Sequence, residues 1–351
     1  MMTTPVQNRS HAGMCCSQFG FCGTEAEFCK KTDDEETSCQ SNCDQPGSGS
    51  SGGDIRKRVI GYYEAWAHDR ECQNMNFKDI PVGALTHAHF SFAYITPGTY
   101  QIAPMDDLDP DLFNDFTAIK ASNPGLKAIV ALGGWTFTDP GATQKVFSEM
   151  VSSAENRKVF IGNLMGFMRK YAFDGVDFDW EYPGAPDRGG SPDDGKNFVT
   201  FLKELDDVNK QQPDNYWYPR WFDLKAVDYV DWINRNDVPA NKLNLGFGFY
   251  GRSFQLSDPT CSTPGCQFKG GASPGACSQN SGTLTYREIM DVVKNNKLKP
   301  FYDKENAVKY VTWNQDQWVS YDDAETFKQK VDFANDLGLG GMLIWGRGVC
   351  P

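Results

Sequence analysis

The chain has 351 residues, enough to bury a large core and to hold more than one folding unit. Its net charge of −12 and pI near 4.8 argue against nucleic acid or an anionic membrane surface as partner, whereas a neutral polymer would be indifferent to that charge. No apolar run approaches the length of a membrane span.

Residues 1–14, MMTTPVQNRSHAGM, are expected to be unstructured and lack the apolar centre of an ordinary signal peptide. Six of the eleven cysteines follow in residues 15–43; three more lie between Cys261 and Cys277, with Cys72 and Cys350 alone. Dense, closely spaced cysteines beside Gly and Ser point to disulfides and an oxidising compartment, and the odd total leaves at least one thiol unpaired. A zinc site is disfavoured, because Cys15-Cys16 followed by Cys22 and Cys29 offers no paired C-x2-C hooks. The 15–43 segment has too few apolar residues for a core, so Phe19, Phe21 and Phe28 are expected on the surface of a stapled knot, as a stacking platform. Residues 44–54, DQPGSGSSGGD, form a flexible linker that would tether this unit to the rest of the chain.

From residue 55 onward short apolar runs alternate with helical stretches, the pattern of an α/β fold. Strands are predicted at 58–66, 85–95 and 126–135, and helices at 143–152 and 155–171. Residues 172–183, AFDGVDFDWEYP, form the next strand and carry Asp174, Asp177, Asp179 and Glu181. Because side chains alternate along a strand, Asp177, Asp179 and Glu181 share one face while Val176, Phe178 and Trp180 share the other. Three acids on one face of a buried strand repel one another and are costly to desolvate. Such crowding has a chemical use: it keeps one acid protonated near neutrality, ready to donate to a leaving group. A helix follows at 196–210, a strand at 242–254 and a last strand at 339–345.

The string DGVDFDWEYP resembles the D-x-x-D-x-D-x-E signature of family 18 glycoside hydrolases, the chitinases and their relatives. The resemblance extends over most of residues 55–345 and implies a TIM-type (β/α)8 barrel, with an α+β insertion over about residues 253–332. It also implies roles for other residues: Tyr62 as a cleft-floor tyrosine, Trp135 as an aromatic that stacks a sugar, and Tyr182 beside the acid. Tyr250-Gly251-Arg252 matches a Y-G-R element facing the cleft, and Trp345 the floor beneath the sugar being cleaved. Ala131 departs from the pattern, since the family commonly has Ser there. Residues 214–242 depart further: one strand–helix–strand crossover alone needs roughly thirty residues, so two strands are expected to be missing. The one carrying an M-x-Y-D motif is among them. Six barrel strands remain, and an incomplete barrel is expected.

The segment CCSQFGFCG within residues 15–43 resembles the hevein-like chitin-binding module. That resemblance implies Ser17, Phe19, Phe21 and Phe28 as the sugar-gripping residues and Cys15–Cys29 and Cys39–Cys43 as bridges. It leaves Cys16 and Cys22 without their usual partners, so a partial module is expected.

Together the resemblances imply an extracellular, monomeric endo-chitinase acting on chitin and chito-oligosaccharides, without metal or organic cofactor. Glu181 would be the acid, Asp179 and Asp177 its carboxylate neighbours, and Asp174 a support at the strand end. Two alternatives stand beside it. One is a chitin- or oligosaccharide-binding protein without turnover, because two strands are missing. The other is a toxin-like subunit that docks on a cell wall, since fungal killer-toxin subunits share the same pairing of domains.

Overall fold

The computed structural model describes residues 53–67, 70, 72–106, 108–211 and 239–346, together with the backbone of 15–16 and 22–23. In that last pair of segments, Cys15 pairs with Gly23 and Cys16 with Cys22 in an antiparallel ladder. Ser17, Phe19, Phe21, Phe28, Cys29, Cys39 and Cys43 lie outside the described residues, as do residues 212–238.

In chain order the main elements are β1 (Val59–Glu64), β2 (His87–Ile95), β3 (Ile102–Pro104), α1 (Leu112–Ala118), β4 (Lys127–Gly133), α2 (Val146–Ser152), α3 (Ala154–Tyr171), β5 (Gly175–Asp179) and α4 (Asp194–Lys210). Then come β6 (Asn244–Gly248), β7 (Tyr250–Leu256), β8 (Phe268–Gly271), β9 (Thr283–Thr285), α5 (Tyr286–Asn295), β10 (Phe301–Asp303), β11 (Val308–Trp313), β12 (Gln317–Tyr321), α6 (Ala324–Asp336) and β13 (Gly341–Trp345).

The barrel sheet has the order β5-β4-β2-β1-β13-β6, with β3 added antiparallel to β2. Pairing is parallel from β1 through β2 and β4 to β5. Six strands of a barrel are therefore present among the described residues, and the barrel is incomplete. The register sets Glu64, Ser91, Ala131 and Asp177 side by side across four strands.

Local chemistry explains the helices that cover this sheet. In α3 the apolar side chains of Phe160, Ile161, Leu164, Met165 and Met168 recur at helical spacing and are all buried. Ser153 caps its start by accepting from the Asn156 N–H at 3.1 Å, and Ala172 ends it in the left-handed conformation at φ 56°. The apolar face of the acidic strand packs as predicted: Phe178 lies against Phe160, Phe198 and Phe201, and Trp180 stacks on Phe147 at 5.2 Å. Burying each such ring contributes about 1.5–3 kcal/mol, so the acids sit on a strand with one stable orientation.

The expected single strand over 242–254 is in fact two. Phe249 interrupts it, its N–H donating to the Trp345 carbonyl at 2.9 Å, and the chain passes there from the barrel sheet into a second sheet. That second sheet is antiparallel, ordered β8-β7-β12-β11-β10, with β9 also paired to β7. Helix α5 packs apolar residues against one of its faces, Ile289 meeting Leu284, Val311 and Val319. Its start is a capping box between Thr285 and Glu288.

Cys72, which the sequence leaves alone, pairs with Cys277, and Cys261 pairs with Cys266. The longer bridge spans 205 residues of sequence, a connection that no spacing rule could anticipate.

The described residues divide into two compact units, one made of those within 1–57, 221–246 and 324–342, the other of those within 58–220, 247–323 and 343–351. Within the first, the N–H of the fully buried Ile55 donates to Asn335 Oδ1 at 2.9 Å, and Gly340 N donates to the Leu243 carbonyl at 2.8 Å. The residues discussed below belong to the second. Among the described residues no helix is long and apolar enough to cross a membrane.

Candidate active site

The carboxylates begin where β5 begins. Asp174 precedes the strand and acts as its anchor: its Oδ2 accepts from Lys120 Nζ at 2.9 Å and from the Ala128 N–H at 2.9 Å. Its own N–H donates to the Ala128 carbonyl at 2.7 Å, locking β5 to β4.

Asp177 lies on the face opposite the apolar side chains. Its Oδ2 accepts the Tyr62 hydroxyl and lies 3.3 Å from His89 Nδ1. Tyr62 and His89 come from β1 and β2, and their rings are 4.7 Å apart. Trp345, at the end of β13, packs 4.8 Å from Tyr62 and 5.6 Å from Phe92. Tyr62, His89, Phe92, Asp177 and Trp345 thus come from four strands, β1, β2, β5 and β13.

The acids at the strand end are held through their backbone. The Asp179 carbonyl accepts from Gly134 N at 2.9 Å. Gly133 and Gly134 have φ of 103° and 85°, and a Cβ on Gly134 would come within 2.5 Å of the Phe92 ring. Only glycine tolerates that turn, which leads from the end of β4 into the short helical turn Trp135–Thr138. Glu181 lies beyond the strand. Its carbonyl accepts from Thr138 Oγ1 at 2.6 Å and from Arg188 Nε at 3.0 Å. Trp135 and Tyr182 are the two large exposed aromatics nearest to it in the chain, 55% and 43% exposed, as a flat-faced ligand would require.

Tyr250 and Arg252 lie on β7, in the antiparallel sheet. The Arg252 guanidinium sits 5.4 Å from the Tyr250 ring, and its Nη1 donates to Thr283 Oγ1 at 3.2 Å. Tyr62, Asp177 and Trp345 are thus brought into contact, Glu181 and Trp135 are joined through Arg188, and Tyr250 and Arg252 form a separate pair. Sequence reasoning missed His89, Thr138 and Arg188. A signal existed for His89, a titratable side chain alternating with His87 in an apolar strand; the loop holding Arg188 has no periodicity to read.

Burial is visible in the titration of His87: desolvation, then the neighbouring His89, Arg58 and Lys127 charges, push its pKa down to about 4, against a smaller opposing effect of Asp174. Among the described residues no cluster of three or more His, Cys, Asp or Glu is arranged to hold a metal ion.

The family model for glycosyl hydrolases family 18 matches residues 58–218 and 220–348. The chain belongs to glycosyl hydrolases family 18. A second family model, chitin recognition protein, matches residues 6–43, so this family 18 chain also carries a hevein-like module at its N-terminal end. The secreted chitinase LysM12 of Penicillium expansum is 28% identical, over 94% of this chain and 26% of that protein. Chitotriosidase-1 of Mus musculus is 27% identical, over 82% of this chain and 72% of that protein. The family 18 chain spans about a quarter to a third of the length of the Penicillium chitinases it matches. Among solved structures, the Ostrinia furnacalis Group IV chitinase in complex with allosamidin superposes with a TM-score of 0.75. It is 26% identical, and the match covers 82% of this chain and 91% of that one.

Proposed function

We propose that this chain is a retaining endo-chitinase, cleaving internal β-1,4 bonds between N-acetylglucosamine units with Glu181 as the acid. The observation that carries the proposal is the arrangement around β5: Glu181 is fixed by its backbone beyond the strand, while Asp177 is held behind it by Tyr62 and His89. Family membership and the relatives named as chitinases support it.

In the proposed reaction the Glu181 carboxyl protonates the glycosidic oxygen as the anomeric C–O bond breaks. The acetamido oxygen of the same sugar attacks the anomeric carbon, giving an oxazolinium-type intermediate; this substrate-assisted route departs from the usual two-carboxylate scheme. Asp179 stabilises the positive charge and orients the acetamide, and Asp177 shares a proton with Asp179. Water then adds to the anomeric carbon and returns its proton to Glu181, with overall retention. Asp174 supports the strand, while Tyr62, Trp135, Tyr182, Tyr250, Arg252 and Trp345 shape the sugar sites. The hevein-like module, with Ser17, Phe19, Phe21 and Phe28, would hold the enzyme on an insoluble polymer outside the cell.

The test is fluorophore release from a fluorogenic chitotriose by the purified chain, with Glu181→Gln as control. Release that disappears in the variant is the expected result. A folded chain that binds chito-oligosaccharide without release would make the binding function primary, a reading favoured by the incomplete barrel sheet.

A further inference from the structure

We infer that Arg188 is a positioning residue that holds the acid and the sugar-stacking tryptophan as one unit; the inference rests on the function proposed for Glu181 and Trp135. Arg188 ends a short turn at Pro186–Arg188 and is buried, 8% exposed. Its Nε donates to the Glu181 carbonyl at 3.0 Å, and its Nη2 donates to the Trp135 carbonyl and, at 2.8 Å, to Thr138 Oγ1. Thr138, itself fully buried, donates a hydrogen bond from its hydroxyl to the same Glu181 carbonyl at 2.6 Å. The guanidinium carbon also lies 4.1 Å from the Trp135 ring centroid. Nη1 pairs with Asp139, which fixes the rotation of the fork.

One side chain therefore grips the backbone of both residues and the ring of one. A guanidinium alone offers donors in a rigid plane that can also stack on an indole; an ammonium cannot do both. The loop that presents Arg188 is itself anchored. The fully buried Asp194 accepts from Ser148 Oγ at 2.6 Å, Ser191 N at 2.7 Å and Gly184 N at 3.1 Å, fixing both ends of the loop. Because the Glu181 peptide is held by Arg188 and Thr138, a shift of the guanidinium moves the acid relative to the bond it protonates. The same shift tilts the Trp135 ring away from its sugar.

The experiment uses the full chain labelled with 5-fluorotryptophan, the Trp135 fluorine signal being assigned by its loss in Trp135→Phe. In Arg188→Lys the Trp135 signal is expected to shift while the remaining tryptophan signals stay in place. With fluorogenic glycosides, kcat/KM is expected to fall about 100-fold on a long chito-oligosaccharide, the scale of a 1 Å misplacement. On a substrate too short to reach Trp135 the fall is expected to be in kcat with KM unchanged. A merely structural role would lower the active fraction equally for both substrates and leave the Trp135 signal in place; either result overturns the inference. If Arg188→Lys does not fold, Asp139→Asn, at a half-exposed partner, decides on the same readouts with a smaller expected change. If the parent chain shows no turnover, the function proposed above fails, and the fluorine signal still decides whether Arg188 holds Trp135.

Discussion

The Tyr62 hydroxyl donates to the Asp177 carboxylate, joining β1 to β5 across 115 residues of sequence. Tyr62 is almost completely buried, so its hydroxyl has been withdrawn from water to make this contact. Tyr62→Phe keeps the ring against Trp345 and His89 but removes the donor. The expected outcome is a loss of kcat in the proposed reaction of about 10-fold or more, equivalent to roughly 1.5–3 kcal/mol for a hydrogen bond to a charged group. Steady-state kinetics on the fluorogenic chitotriose, with a melting curve as control, measure it; an unchanged kcat would remove Tyr62 from the proposed machinery.

Gly134→Ala is expected to damage both folding and the site. At φ 85° the new side chain is strained, and its Cβ would meet the Phe92 ring. The cost is about 1–3 kcal/mol from backbone strain alone, with the clash added to it. Relief would require moving Gly134, whose N–H holds the Asp179 carbonyl. Urea denaturation of the variant should show the lower midpoint, and wild-type stability would contradict this geometry.

Breaking the Cys72–Cys277 bridge by a double Ser substitution is expected to destabilise the chain more than breaking Cys261–Cys266. The loops closed differ by 205 against 5 residues. In the chain-entropy description these correspond to about 5 and about 2 kcal/mol as upper values. Equal midpoints for the two double variants in denaturant would mean that loop closure is not what the long bridge contributes.

His87 gives a pH prediction with a definite sign. Its folded-state pKa of about 4 lies below the ordinary histidine value of 6.5, so the unfolded chain takes up this proton first as pH falls. Its contribution to stability is present above pH 6.5 and is lost progressively down to about 4, by at most about 3 kcal/mol from linkage. His87→Gln should therefore flatten the decline in stability between pH 7 and pH 4. Parallel curves for parent and variant would show that His87 is not the group responsible.

Removing the lone hydroxyl of Ser91 should cost little. Ser91 is fully buried and its Oγ has no hydrogen-bond partner among the described residues. Ser91→Ala is expected to be neutral or stabilising by up to about 1 kcal/mol, since it deletes an unsatisfied polar group from the interior. A clear drop in the denaturation midpoint would reveal a role for that hydroxyl.

Much of the architecture follows from residues taken alone. The alternation of acids with Val176, Phe178 and Trp180 defined the faces of β5, because a strand has a period of two and burial of one face orients the other. The helical spacing in α3 and the Gly133-Gly134 pair were equally local signals. Six barrel strands could be counted because each carries its own apolar run. The break at Phe249 was hidden, since apolar residues run through both β6 and β7 and periodicity cannot tell one long strand from two in different sheets. Only the tertiary structure decided which faces meet: Tyr62 and His89 at Asp177, Cys72 at Cys277, and Arg188 between Trp135 and Glu181. Each of those pairings depends on how crossovers and irregular loops return in space, and a loop without hydrophobic period carries no local record of where it lands.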